Sequence, residues 1–145
     1  MLAVALGSSV KCVACDDECL VVYCGLYNSD IAVIDVAAKC VTHTLEGHAY
    51  SVWAVLLNPQ TTTLFSASTD KTVRAWDTNT RQQLWAAKCA GWVHSLAIRN
   101  NTVFAGVTRS NAIAIDAATG NTLRGYAASK GQVLGIAVFG SLSSL

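Results

Sequence analysis

At 145 residues, the chain is long enough to bury one core and short for two, and a composition of 52% hydrophobic and 13% charged residues excludes disorder as its main state. Ten basic against nine acidic residues, scattered along the chain, leave no electrostatic footprint for nucleic acid or an anionic membrane surface. The longest unbroken apolar runs, such as Val52 to Leu57, fall far short of the ~18 residues a membrane-spanning helix needs, so no membrane partner is expected.

Taken in order, the N-terminal apolar stretch lacks the basic region and length of a secretory signal and reads as a strand over Leu2–Leu6. With no export signal, a cytoplasmic or nuclear setting is expected, and six cysteines there read as reduced thiols rather than a disulfide framework. The apolar pair Val10/Val13 comes next, followed by an acidic turn at Asp16-Asp17-Glu18, an apolar run from Leu20 to Leu26, a turn at Asn28-Ser29-Asp30, and Ile31 to Ile34 closed by Asp35. The same order then returns. The i, i+3 apolar pair recurs as Val52/Val55, Val93/Leu96 and Val133/Ile136, so its first members step by 42, 41 and 40. An apolar residue followed by aspartate recurs independently as Ile34-Asp35, Trp76-Asp77 and Ile115-Asp116.

Within each period the segments are short, β-branched and bounded by turn residues, with no room for a long helix. Further turns are marked by Asn58-Pro59-Gln60, Thr69-Asp70-Lys71, Asn100-Asn101 and Arg109-Ser110-Asn111. Each period reads as four short antiparallel strands, which suits radially packed blades. The expected class is all-β, a β-propeller forming an incomplete ring in one chain. A single partial domain over 1–145 would hold repeats at 10–46, 52–88 and 93–127 and the start of a fourth at 133–139. Because closed propellers have about four to eight blades, the open faces call for a cover: the missing blades of a longer chain, another protein, or a second copy in a homodimer.

The second repeat carries Gly47-His48, then Val52-Trp53-Ala54-Val55, then Ser66-Ala67-Ser68-Thr69-Asp70 and finally Trp76-Asp77. This resembles the WD-repeat β-propeller family. The resemblance implies an internal hydrogen-bond relay among His48, Ser66 or Ser68, Asp70 and Trp76 that locks the loop entering a blade to its inner hairpin. The other repeats depart from the pattern: Trp92 follows Gly91 where His is expected, Arg109 stands for the turn Asp, and Ile34 and Ile115 stand for the Trp. The run Asp116 to Leu123 is similar to the blade ending of quinoprotein-like propellers, which leaves the propeller part of an enzyme, or the targeting propeller of a larger catalytic chain, as the alternative.

Catalytic signatures are missing from the sequence: there is no nucleophile elbow, phosphate loop, dinucleotide turn or zinc-protease helix. Cys12-Val13-Ala14-Cys15 has zinc-knuckle spacing but no matching second pair, so no metal and no cofactor is expected. Asp16-Asp17-Glu18 reads as a solvated loop tip, Asp35, Asp77 and Asp116 as turn residues, and Trp53 and Trp85 as core. The resemblance places the binding rim on the loops entering the first strand and joining the second and third strands of each blade. Tyr50, Trp92 and Arg109, with Lys71 secondary, are the expected contacts to a protein or peptide partner, being the residue types that carry interface energy. The expected function is a non-enzymatic interaction scaffold.

Overall fold

A computed structural model describes residues 3–108, 111–127 and 135–136. All its regular structure is strand: β1 (Val10–Cys15), β2 (Val21–Leu26), β3 (Ile31–Asp35), β4 (Cys40–Leu45), β5 (Val52–Leu57), β6 (Thr63–Ser68), β7 (Thr72–Asp77), β8 (Gln83–Lys88), β9 (Val93–Arg99), β10 (Thr102–Val107), β11 (Asn111–Asp116) and β12 (Thr122–Ala127). Consecutive strands pair antiparallel into three four-stranded sheets, β1–β4, β5–β8 and β9–β12, each a simple meander. The innermost strands lie side by side, β1 against β5 and β5 against β9, so the sheets stand as three blades in an arc with β5–β8 in the middle.

The arc is held by two apolar layers. Between the first and second blades, Tyr23, Ile31, Val33 and Leu45 meet Val52, Leu64 and Trp76. Between the second and third, Phe65, Ala67, Val73 and Ala75 meet Val93, Val103, Val107 and Ile115. Because the middle blade is covered on both faces, Leu64 to Ser68 of β6 are all buried, which removes the alternation an exposed sheet would display. The outermost strands behave in the opposite way, and every residue of β12 is exposed.

Turn chemistry explains where the strands end. Asp35, Asp77 and Asp116 close β3, β7 and β11, and each turns its carboxylate back onto the next backbone amides: Ala38 at 2.7 Å, Asn79 and Thr80 at 2.8 and 2.7 Å, and Ala118 and Thr119 at 3.0 and 2.9 Å. Each of these turns then passes through the left-handed region, at Lys39, Arg81 and Gly120 with φ of 57°, 62° and 76°. The β9–β10 hairpin turns on Asn100 and Asn101, both at positive φ, the pairing that matches the right-handed twist of its strands.

The N-terminal expectation is corrected here. Residues 3–6 form no strand. Leu6 instead packs with Val22, Cys24 and Ile34 on the outward face of the first blade, so its hydrophobicity reflects burial without ladder hydrogen bonds. Of the expected strand at 133–139, Gly135 and Ile136 are described and lie in no strand, and the rest lies outside the described residues.

Candidate functional site

Two strands of the middle blade, β6 and β7, and the turn between them converge on His48, which stands in the loop before β5. Its Nε2 lies 2.7 Å from the Ser66 hydroxyl on β6, and its Nδ1 lies 2.8 Å from the Asp70 carboxylate in the β6–β7 turn. The Trp76 indole on β7 donates to the same Ser66 oxygen at 2.8 Å. An ionised carboxylate only accepts, so His48 carries its proton on Nδ1 and donates it to Asp70, while Nε2 accepts from Ser66. All donations therefore run one way, from Trp76 through Ser66 and His48 to Asp70. Gly47 permits this packing, because a Cβ there would come within 2.9 Å of the Trp76 ring and 2.8 Å of Arg74.

Burial alone would raise the Asp70 carboxyl, but hydrogen bonds from His48 and Thr72, electrostatic attraction to the His48 ring and the Ala49 amide outweigh it and hold the group well below the usual carboxylate range. The two serines differ in role. Ser66 belongs to the relay, whereas Ser68 accepts from the Asp70 amide at 3.0 Å and donates to the Tyr50 carbonyl at 2.9 Å. Ser66, His48 and Asp70 have the order of a nucleophilic triad, yet Ser66 is fully buried and its oxygen already takes the indole proton. The Ser66 hydroxyl is closed off from solvent, and the four side chains lock the loop before β5 to the β6–β7 turn.

Above the lock, Tyr50, Thr69, Asp70, Lys71 and Trp92 line one surface cavity of about 440 Å³. Tyr50 is 65% and Trp92 52% exposed. Trp92 holds a position that serine holds in the other blades. The carbonyls of Ser9, Ser51 and Trp92, each directly before an inner strand, accept the amides of Tyr27, Thr69 and Thr108 at 2.9, 3.2 and 2.8 Å. The residue corresponding to His48, four positions before its inner strand, is accordingly Cys89 in the third blade, and Trp92 stands on the rim instead. Arg109, the fourth expected rim residue, lies outside the described residues.

Trp53 corrects a second expectation, since it is 39% exposed and not core. The register of β5 on β6 slips between Val52 and Ala54, and such a bulge re-aims the extra side chain. The same slip occurs at Lys11 in β1 and at His94 in β9. These bulges turn Lys11, Trp53 and His94 toward one another. The Lys11 ammonium sits 5.1 Å from the Tyr27 ring and 5.3 Å from Trp53, and His94 meets Trp53 and Trp92 edge-on at 5.6 and 6.3 Å. A continuous band across three blades thus runs into the cavity through Trp92. Its signal was present in the sequence, because an i, i+3 apolar pair can share one face of a strand only if an extra residue bulges between them. Trp85 is half-buried, packs at a tilt on Phe65 with ring centroids 5.8 Å apart, and donates to the Ala117 carbonyl at 3.1 Å, joining the second and third blades.

The Asp116–Leu123 run is a capped turn entering β12. Among the described residues, no group of three or more His, Cys, Asp or Glu is arranged to hold a metal ion, and no helix is long and apolar enough to cross a membrane.

Radial four-stranded blades with a buried Trp-Ser-His-Asp relay define a partial β-propeller. Residues 39–77 match the family model for the WD domain, G-beta repeat, and the chain as a whole is similar to WD-repeat β-propellers. Over 76 residues, 52% of this chain, it is 32% identical to WD repeat-containing protein 90 of Xenopus tropicalis, of whose length the match spans only 4%. Among solved structures, the computationally designed Ika4 protein superposes with a TM-score of 0.85 at 23% identity, covering 97% of this chain and 87% of that one. The RRP9 WD40 repeats superpose with a TM-score of 0.83 at 15% identity, covering 92% of this chain and 43% of theirs. WD-repeat propellers generally serve as scaffolds for protein interaction.

Proposed function

We propose that this chain is a non-enzymatic scaffold whose rim binds an acidic peptide segment of a partner protein. The observation that carries the reading is the convergence of Tyr50, Lys71 and Trp92, from two blades, on one cavity of about 440 Å³. Two exposed aromatic rings supply large contact area at small entropic cost, and Lys71 supplies a cation for an acidic residue. The neighbouring Lys11 extends the positive character along the aromatic band. Asp70 lines the same cavity, but its carboxylate is turned inward onto His48, Thr72 and the Ala49 amide, and the Arg74 guanidinium 3.8 Å away balances its charge.

Selection of a displayed peptide library on the immobilised chain tests this. Enriched peptides should carry acidic residues, and the double variant Tyr50→Ala, Trp92→Ala should weaken them at least ~10-fold, the scale expected for interface anchors. Peptides that bind both forms equally would overturn the rim assignment. The reading also takes the blades that close the ring as coming from additional chain. Light scattering on a sizing column checks this, since a clean dimer would assign the cover to a second copy.

A further inference from the structure

The β1–β2 loop carries two thiols that the relay and the rim do not use. Cys15 ends β1, Cys19 lies four residues on, both are exposed, and their sulfurs are 3.3 Å apart. The loop is built to hold them there. Asp16 Oδ1 accepts the amides of Leu20 and Val21 at 2.7 and 3.1 Å, and the Asp16 carbonyl accepts the Cys19 amide at 2.9 Å, with Cys19 in the left-handed region at φ 53°. Asp16 is therefore a loop organiser and not merely part of a solvated tip.

The remaining thiols are placed differently. Cys24 is buried, and burial pushes the Cys12 and Cys89 thiols up to about 11. Cys40 is exposed but opens β4, separated from β1 by the width of the sheet.

We propose that Cys15 and Cys19 are a reversible redox pair, converted by a low-molecular-weight disulfide such as oxidised glutathione into a disulfide within the β1–β2 loop. In the first step one thiol loses its proton to solvent and its sulfur attacks one sulfur of the small disulfide, whose S–S bond breaks. The expelled thiolate takes up a proton. In the second step the other thiol, deprotonated, attacks the protein sulfur of the mixed disulfide and expels the second small thiol. The protein loses two protons and two electrons, and the small disulfide gains them to become two thiols.

Bond formation requires the sulfurs to close from 3.3 Å to ~2.05 Å, a movement within reach of side-chain rotation. The hydrogen bond with Cys19 first, then desolvation and the charges of Cys19, Asp16 and Asp17, raise the Cys15 thiol above its ordinary value, so exchange is best driven in mildly alkaline buffer. The loop also forms one wall of a second cleft, of about 360 Å³, where Asp16 and Asp17 face Asn58, Pro59 and Thr78 of the middle blade.

The test uses the full chain carrying Cys40→Ser, equilibrated in glutathione redox buffers, then quenched for thiol counting, intact mass and peptide mapping. The expected result is loss of two titratable thiols per chain, a mass lower by two hydrogens, one peptide cross-linking positions 15 and 19, and full recovery in excess reduced glutathione. Cys15→Ser and Cys19→Ser should each leave the other thiol as a stable glutathione adduct. Three results would overturn the proposal: no thiol loss, glutathione retained on the parent chain without ring closure, or cross-links only between chains.

Discussion

The middle blade and its two neighbours solve the same packing problem with different chemistry. Trp76 pairs with Leu64, Ile34 with Val22 and Ile115 with Val103, which places Ser66, Cys24 and Ala105 at one structural position. Four residues before each inner strand stand His48, Leu6 and Cys89. The polar set His48, Ser66 and Trp76 is thus replaced by Leu6, Cys24 and Ile34 in one apolar cluster and by Cys89, Ala105 and Ile115 in another. A blade does not require the relay to form. What the relay adds is direction: it fixes the loop before β5 to the β6–β7 turn, and it is that turn and loop which present Lys71 and Tyr50.

The sharpest way to break this comparison is to remove one relay member at a time. Trp76→Ala should cost ~3–5 kcal/mol as a buried aromatic lost, read by denaturant melts. His48→Ala should cost about 2 kcal/mol or more, because Ser66 and Asp70 are left short of partners in a dry site. Exchanging the whole set for the first blade's residues, His48→Leu, Ser66→Cys, Asp70→Asn and Trp76→Ile together, should cost at least ~1 kcal/mol less than the four single losses summed. Strict additivity would mean the relay residues act independently and the two designs are not alternatives.

The all-β class, the meander blades and the aspartate turns were legible because each follows from local chemistry: short β-branched runs, and a carboxylate that caps the turn after it. His48, Ser66, Asp70 and Trp76 were legible as a set because their spacing is itself the signature. Other features depended on contacts that spacing does not encode. Leu6 looks like a strand residue because burial against Cys24 selects the same side chain as a ladder would. Trp53 looks like core because alternation predicts an inward position, and only the bulge at β5 reverses it. Gly91-Trp92 imitates Gly47-His48 in sequence, while the backbone hydrogen bond to Thr108 places Trp92 three residues further along.

Acid sharpens the contrast next. The folded Asp70 carboxyl lies well below its ordinary range, while in the unfolded chain it titrates near ~3.9. The folded state therefore binds fewer protons, and this stabilisation is complete above the unfolded value and is lost as pH falls through and below it. Urea midpoints from pH 6 down to ~3 should fall more steeply for the parent than for Asp70→Asn. Some slope should persist in the variant, because backbone amides, chiefly those of Thr80 and Thr119, also lower Asp77 and Asp116. Equal slopes would remove Asp70 as the relay's pH-sensitive member.

The smallest effects lie in the turns, where the three blades share a backbone and differ only in the residue that bears it. Gly120 takes φ 76° with its Cα against Trp85, where a Cβ would sit 2.7 Å from the ring. Gly120→Ala should thus lose ~1–3 kcal/mol through overpacking as well as strain. Lys39 holds the same turn position at φ 57° with its side chain exposed, so it bears the strain without the packing. A left-handed non-glycine residue costs ~1–2 kcal/mol, and glycine returns ~0.5–1 kcal/mol of that as unfolded-chain entropy. Lys39→Gly should therefore raise stability slightly, by about 0.5 kcal/mol. A loss on Lys39→Gly would mean that the side chain, and not the backbone conformation, sets that turn, and that glycine in the third blade answers to Trp85 alone.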